Sequence, residues 1–312
     1  MIYLYHKECG MDYFSLSKLL VSKKKYSKIV KRAQRLSQKK LGKILLDAIS
    51  QGDKDVFDFV LPYLSDVNVK NSLGESATMY AAHYRQTEMF EALVERGAIL
   101  GKTTKRSFSC TMDSIHECFN KSLFGPDLHY GNDIYYVHTK PGANELMYAV
   151  ASVTRENSTD IVKAVLKAGQ LDVNAQDADG YTALMYAAEC GNVPAVLLLL
   201  EAGAKVDVQN KNGNTALMIA LTRMHADFMV KALVLAGASE TIKNNFGECA
   251  IDINEHVKKR TGVDALERAN RAKNLANLQD KKHAFAIVKK AVNKTYHTDV
   301  DVEDENNAYF ER

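Results

Sequence analysis

The residues best suited to chemistry lie between positions 110 and 138. Cys110, His116, Cys118, His129 and His138 are soft or borderline ligands of the kind that hold zinc. Their spacing contains no paired C-x-x-C and no H-x3-H, so buried thiols and surface histidines remain the simpler reading. The wider search returns little else. No phosphate-binding glycine loop, dinucleotide fingerprint, HExxH or nucleophile elbow occurs anywhere in the chain. The five cysteines, Cys9, Cys110, Cys118, Cys190 and Cys249, are odd in number and scattered, which fits reduced thiols in a cytoplasmic, reducing compartment. Neither a metal nor a cofactor is expected, and the chain is read as a non-enzyme.

The elements that would have to position any site are set by internal repetition. Asp177 to Asn210 reads DADGYTALMYAAECGNVPAVLLLLEAGAKVDVQN, and the next 34 residues repeat it as KNGNTALMIALTRMHADFMVKALVLAGASETIKN. Gly180 falls on Gly213 and Gly203 on Gly237, offsets of 33 and 34 residues, a period that marks stacked supersecondary units. Asp179-Gly180 is a tight-turn dipeptide, Thr182 caps a first helix, and Ala183, Leu184, Ala187 and Ala188 give that helix a close-packing face. Gly191 ends it, Pro194 sits in the first turn of a second helix, and Gly203 terminates that one in a left-handed conformation.

This pattern resembles the ankyrin repeat. G-x-T-A-L-M-x-A, the leucine run ending in Glu-Ala-Gly-Ala, and Val206-Asp207 carry the resemblance. Thr182-Ala183-Leu184-Met185 and Thr215-Ala216-Leu217-Met218 stand where the family usually has T-P-L-H. The resemblance implies an all-α solenoid of about six to seven helix-turn-helix units with β-hairpin fingers, flanked by helical N- and C-terminal extensions. Residues 41–258 form the array, 259–295 a C-terminal helical extension and 296–312 an acidic disordered tail. Within the array a first unit begins near Leu41, a second at Gly74, a fourth at Gly142, and a seventh opens at Asn245. An irregular third unit is expected over 107–141, with a projecting loop at 125–141, and the fourth unit carries extra residues in a turn at 152–159.

Charge is uneven along the chain. Twelve Lys or Arg against Glu8 and Asp12 give residues 1–43 about +10, whereas the whole chain carries +3. Apolar positions from Tyr26 to Leu36 recur at helical spacing, so residues 1–40 are expected to contain a basic amphipathic helix. It could cap the first repeat, meet an acidic protein, or reach anionic membrane through residues 23–43. Nucleic acid is the weakest of these readings, because no aromatics or glycine-rich elements interleave the basic side. No apolar run is long enough to span a bilayer.

The resemblance also implies a use. Ankyrin arrays hold protein partners through hairpin tips and exposed positions of each first helix. Those positions here are Ser72, Leu73, Glu75, His83 and Tyr84 in the second unit, and Ala151 and Ser152 in the fourth. They continue with Asp179, Tyr181 and Glu189 in the fifth, Lys211, Asn212, Asn214, Thr222 and Arg223 in the sixth, and Phe246 and Glu248 in the last. Tyr84, Tyr181, Arg223 and Phe246 are the expected anchors, because aromatics and Arg dominate interface energetics. Tyr80, Tyr148 and Tyr186 share another register and are expected to pack between repeats. The chain is expected to act as a monomeric scaffold that binds another protein through its concave face. Arrays of this Thr-Ala-Leu-Met-Tyr-Ala-Ala type resemble those of intracellular bacteria and protists, so an effector delivered into a host cell is the alternative.

Overall fold

The computed structural model describes residues 35–72, 74–101, 141–151, 159–223, 227–279 and 281–296. The basic segment before residue 35, Leu73, Ser152, the turn at 152–158, the tail from 297 and the Cys/His set between 110 and 138 lie outside the described residues. Thirteen α-helices are described: α1 (Gln38–Gln51), α2 (Lys54–Val60), α3 (Ala77–His83), α4 (Thr87–Glu95), α5 (Glu145–Ala151) and α6 (Thr159–Lys167), then α7 (Ala183–Cys190), α8 (Val193–Glu201), α9 (Ala216–Leu221), α10 (Asp227–Leu235), α11 (Ala250–Thr261), α12 (Ala265–Gln279) and α13 (Lys281–Tyr296).

The local rules of the repeat account for each helix pair. Ser76, Thr182 and Thr215 stand in extended conformation before α3, α7 and α9, and their hydroxyls accept the backbone N–H of Met79, Met185 and Met218. Asp53 and Asn192 do the same for α2 and α8. Each cap satisfies one amide hydrogen that a first helical turn leaves unpaired, worth about 1 kcal/mol. Between pairs the chain forms a finger built on one Asx residue. Asp177 Oδ1 accepts the N–H of Asp179 and of Tyr181, while the Asp177 N–H donates to the Tyr181 carbonyl. Asn210 and Asn244 repeat the arrangement at the next two fingers. The fingers are short: the isolated antiparallel bridge Lys70–Ser76 is their one pairing beyond these turns among the described residues.

Successive fingers bond to one another. Lys211 N–H donates to the Asp179 carbonyl at 2.9 Å, and Asn245 N–H to the Asn212 carbonyl at 3.0 Å. The approach is close enough to demand glycine. At Gly213, φ is +76° and a Cβ would lie 2.8 Å from Asn244 Cα and from Asn245 N. Farther along each unit, the Asp-Val-Asn ending reaches forward. Asn68 accepts from Ile99 N–H, Asn174 from Lys205 N–H, and Asp207 from Ser239 N–H, each one repeat ahead.

Two features correct the sequence-based layout. The first concerns the third unit. Glu145, at the start of α5, accepts from Thr78 Oγ1 at 2.9 Å and Gly101 N–H at 2.9 Å, and Tyr148 of α5 donates to Glu75 at 2.9 Å. The second and fourth units are therefore direct neighbours, whereas the irregular unit expected over 107–141 lies, up to residue 140, outside the described residues. The sequence misled because the distance between Gly74 and Gly142 equals two repeat periods. The second concerns the carboxy-terminal end. The boundary expected at 258 falls inside α11, and α12 packs along α10 as the second helix of a sixth described pair, with Arg268 bonded to Asp227 at 2.6 Å.

Helix α13 alone is an extension, and it turns back over α10 and α8. Its Lys289 is 5% exposed and pairs with Glu201 at the end of α8. That cover explains α8 itself. Val193 through Leu200 are all buried, a helix apolar on every side, which requires neighbours on every side. By contrast α2, α4 and α6 keep polar outer faces and carry no cover of this kind among the described residues.

The three register-matched tyrosines behave as expected. Tyr148 and Tyr186 are each 1% exposed. Tyr186 donates to Asp177 at 2.6 Å, Tyr148 to Glu75 of the neighbouring unit, and Tyr80 accepts from Asn71. The tyrosine hydroxyls thus brace finger residues, either within a unit or across to the next.

Candidate functional site

Fingers and first helices share one face, and a depression in it lies over the last three units. It is an open groove of about 560 Å³. Tyr181 and Glu189 enter from the fifth unit, Asn214, Thr222 and Arg223 from the sixth, and Phe246 and Glu248 from the seventh. These seven are all positions expected from the sequence. The finger fold accounts for Tyr181, Asn214 and Glu248, each four places beyond its Asx and aimed by the same turn.

The charges in the groove are arranged in pairs. Arg223 Nη2 donates to Glu189 Oε1 at 3.1 Å across adjacent units, with both side chains less than a third exposed. His256 Nδ1 stands 3.7 Å from Glu248 Oε1. Tyr181 packs its ring 5.2 Å from that of Tyr186, and burial followed by the nearby Glu189 carboxylate holds its phenol above the usual range, so it stays a neutral donor. Phe246 is the outlier: its ring is 78% exposed at a finger tip.

Other expected positions do not reach the groove. Asp179, Lys211 and Asn212 line the row of finger tips, with Lys211 and Asn212 exposed. Ser72 is exposed on the second unit's finger. Ala151 is half-buried and its carbonyl accepts from the Cys190 thiol at 3.6 Å. Burial, with a smaller effect from Glu189, pushes that thiol well up, so it is protonated and unreactive. Glu75 is not a surface position at all: it is 1% exposed, with its carboxylate taken by Tyr148 and by Asn71 Nδ2 at 2.6 Å. The register was read correctly, but the tyrosine one unit ahead draws that side chain inward. His83 and Tyr84 form an aromatic corner with Tyr148, their rings 4.8 Å apart and edge-on, and burial holds the His83 imidazole down to about 4.

The far wall of the groove was missed. Ile253, His256, Val257 and Arg260 of α11 line it, recurring at i, i+3, i+4 and i+7. That spacing was visible in the sequence, but a polar stretch after the last clear repeat does not announce which face it presents. Among the described residues no group of three or more His, Cys, Asp or Glu could hold a metal ion.

A family model for ankyrin repeats (three copies) matches residues 116–210 and 146–245. The chain carries ankyrin repeats. Its array is similar to the crystal structure of EF0377, an ankyrin repeat protein, with a TM-score of 0.53 and 26% identity over 73% of this chain and 96% of that one. The putative ankyrin repeat protein YahD of Escherichia coli K12 is 27% identical over 216 residues, covering 65% of this chain and 100% of YahD. A homologue of transient receptor potential cation channel subfamily A member 1 from Caenorhabditis elegans is 40% identical over 78 residues, or 25% of this chain and 6% of the channel subunit. The segment shared with that channel subunit is thus a small part of it. Ankyrin repeats generally mediate protein–protein interaction.

Proposed function

We propose that this ankyrin-repeat chain is a non-enzymatic scaffold that holds a partner protein in the groove over its last three units. The observation that carries the reading is the convergence of seven surface positions from three fingers and two first helices on one depression of about 560 Å³. An open groove with paired charges suits recognition, whereas catalysis needs ionisable groups converging in a closed, dry pocket. Affinity purification with the intact chain as bait should recover a protein partner. Tyr181→Ala and Arg223→Ala should each weaken its binding by about tenfold or more with circular dichroism unchanged, as expected of aromatic and Arg anchors. Binding that survives both, and Phe246→Ala as well, would place the site elsewhere.

A second reading follows from the charge of the amino-terminal segment, of which Lys39, Lys40 and Lys43 are exposed on α1. The basic residues would carry the scaffold to anionic membrane, and flotation of the intact chain with phosphatidylserine vesicles, lost at high salt, tests it. No helix among the described residues is long and apolar enough to cross a membrane.

A further inference from the structure

We propose that Asn212 is a site of spontaneous deamidation that the contact between the sixth and seventh fingers holds shut, so that modification follows the opening of that contact. Asn212-Gly213 is the one Asn-Gly pair in the chain, and Asn212 is exposed at its fingertip. The backbone nitrogen of Gly213 can attack Cγ of the Asn212 side chain. A C–N bond forms, the side-chain amide C–N bond breaks, and the amide leaves as ammonia with the proton that the attacking nitrogen gives up. Water then opens the cyclic imide to aspartate or isoaspartate. The reaction needs no oxidant, metal or enzyme, and a glycine on the carboxyl side has no side chain to hinder it.

The stack itself requires this vulnerable pairing. Gly213 has φ +76°, and a Cβ on it would meet the backbone of Asn244 and Asn245 at 2.8 Å, so no bulkier residue can shield its nitrogen. The same finger position carries Asp179-Gly180 in the fifth unit and Phe246-Gly247 in the seventh, so of these three only the sixth has a side-chain amide before its glycine. Protection comes from hydrogen bonds. The Gly213 N–H donates to the Asn210 carbonyl at 2.8 Å, and the Asn212 N–H donates to Asn210 Oδ1 at 3.0 Å. From the next finger, the Asn245 N–H donates to the Asn212 carbonyl at 3.0 Å and Asn245 Nδ2 to the Lys211 carbonyl at 2.8 Å. Attack requires the Gly213 nitrogen to release its proton and the planar peptide between the two residues to turn toward the side chain. Joined fingers oppose both. Isoaspartate places an extra carbon in the main chain, so the finger cannot close again on its former partners. The inference does not depend on what the groove binds, although Asn214, next in the chain, lines it.

The test incubates the intact chain, folded and in concentrated guanidinium chloride, side by side at mildly alkaline pH. Mass spectrometry follows the peptide that contains Asn212, and a protein isoaspartyl methyltransferase serves as the reagent for isoaspartate. Conversion should concentrate at Asn212 in the unfolded chain and run about tenfold or more slower in the folded one, because the reaction waits on local opening. Asn244→Ala removes the Asx anchor of the seventh finger and should bring the folded rate toward the unfolded one. Asn245→Ala removes only the side-chain bond to Lys211, lies at an exposed position that leaves folding intact, and should raise the folded rate by a smaller factor. Equal rates in the folded and unfolded chains would show that the fingers shut nothing. Absence of conversion at Asn212 in the unfolded chain would remove the site, and a folded rate unmoved by either variant would remove the seventh finger as its guard.

Discussion

At the scale of single residues, the array tolerates surface variation but fixes a few positions tightly. Gly213 combines a positive φ with a Cβ position 2.8 Å from the next finger's backbone. Gly213→Ala should therefore destabilise by about 2 kcal/mol or more, since strain and steric displacement act together, and a lowered urea midpoint at unchanged slope would show it. His83 gives a pH signature. Its imidazole titrates near 4 in the folded chain against 6.5 when free, so the unfolded chain binds more protons between those values. Folding stability contributed by the neutral ring is intact above 6.5 and is lost as pH falls toward 4. His83→Gln should remove that dependence, and the difference in urea midpoint between the two proteins, followed from pH 7 to pH 4, should shift toward the variant. An unchanged difference would mean that the ring titrates normally. These residue-level features were partly legible. Gly180 and Gly213 declared themselves through turn chemistry, whereas the protonation of His83 depends on neighbours such as Tyr148 that lie far along the chain.

Elements were read well where local rules decide them and poorly where long-range contact does. Capping Thr182 and Thr215, the terminating Gly191 and the leucine-rich second helix all follow from nearest neighbours, and all are found. The role of α13 was harder to see, yet a clue stood in α8: Val196 to Leu200 has no polar side and so implies cover on its outer surface. Each of those leucines, fully buried, stabilises by about 2 kcal/mol relative to exposure. The Lys289–Glu201 pair fixes α13 in place. Lys289→Ala should cost on the order of 3 kcal/mol, because it strands a largely buried carboxylate, and Lys289→Met with Glu201→Leu should cost less. Equal losses for single and double variants in thermal melts would show that the pair adds nothing to the packing.

For the whole molecule, continuity of the stack matters more than the number of repeats read from the sequence. Period counting placed a unit over 107–141, but the bonds of Glu145 to Thr78 and Gly101 join the second unit to the fourth. Replacing residues 103–139 with a short Gly-Ser linker should leave a single cooperative transition, since the interface that couples the two halves is already complete. Two separate transitions in calorimetry would show that the replaced segment bridges them. The groove was legible as a set of positions, because fingers present equivalent side chains at a fixed period, but its wall on α11 was not, since no repeat follows to supply the comparison. Stacked repeats flex like a coil spring, each joint adding a little bend. With α13 laid across α8 and α10 and bonded at Lys289, the joints behind the groove are splinted, so elastic deformation is displaced to the amino-terminal joints and the jaw over the last units keeps a constant gape.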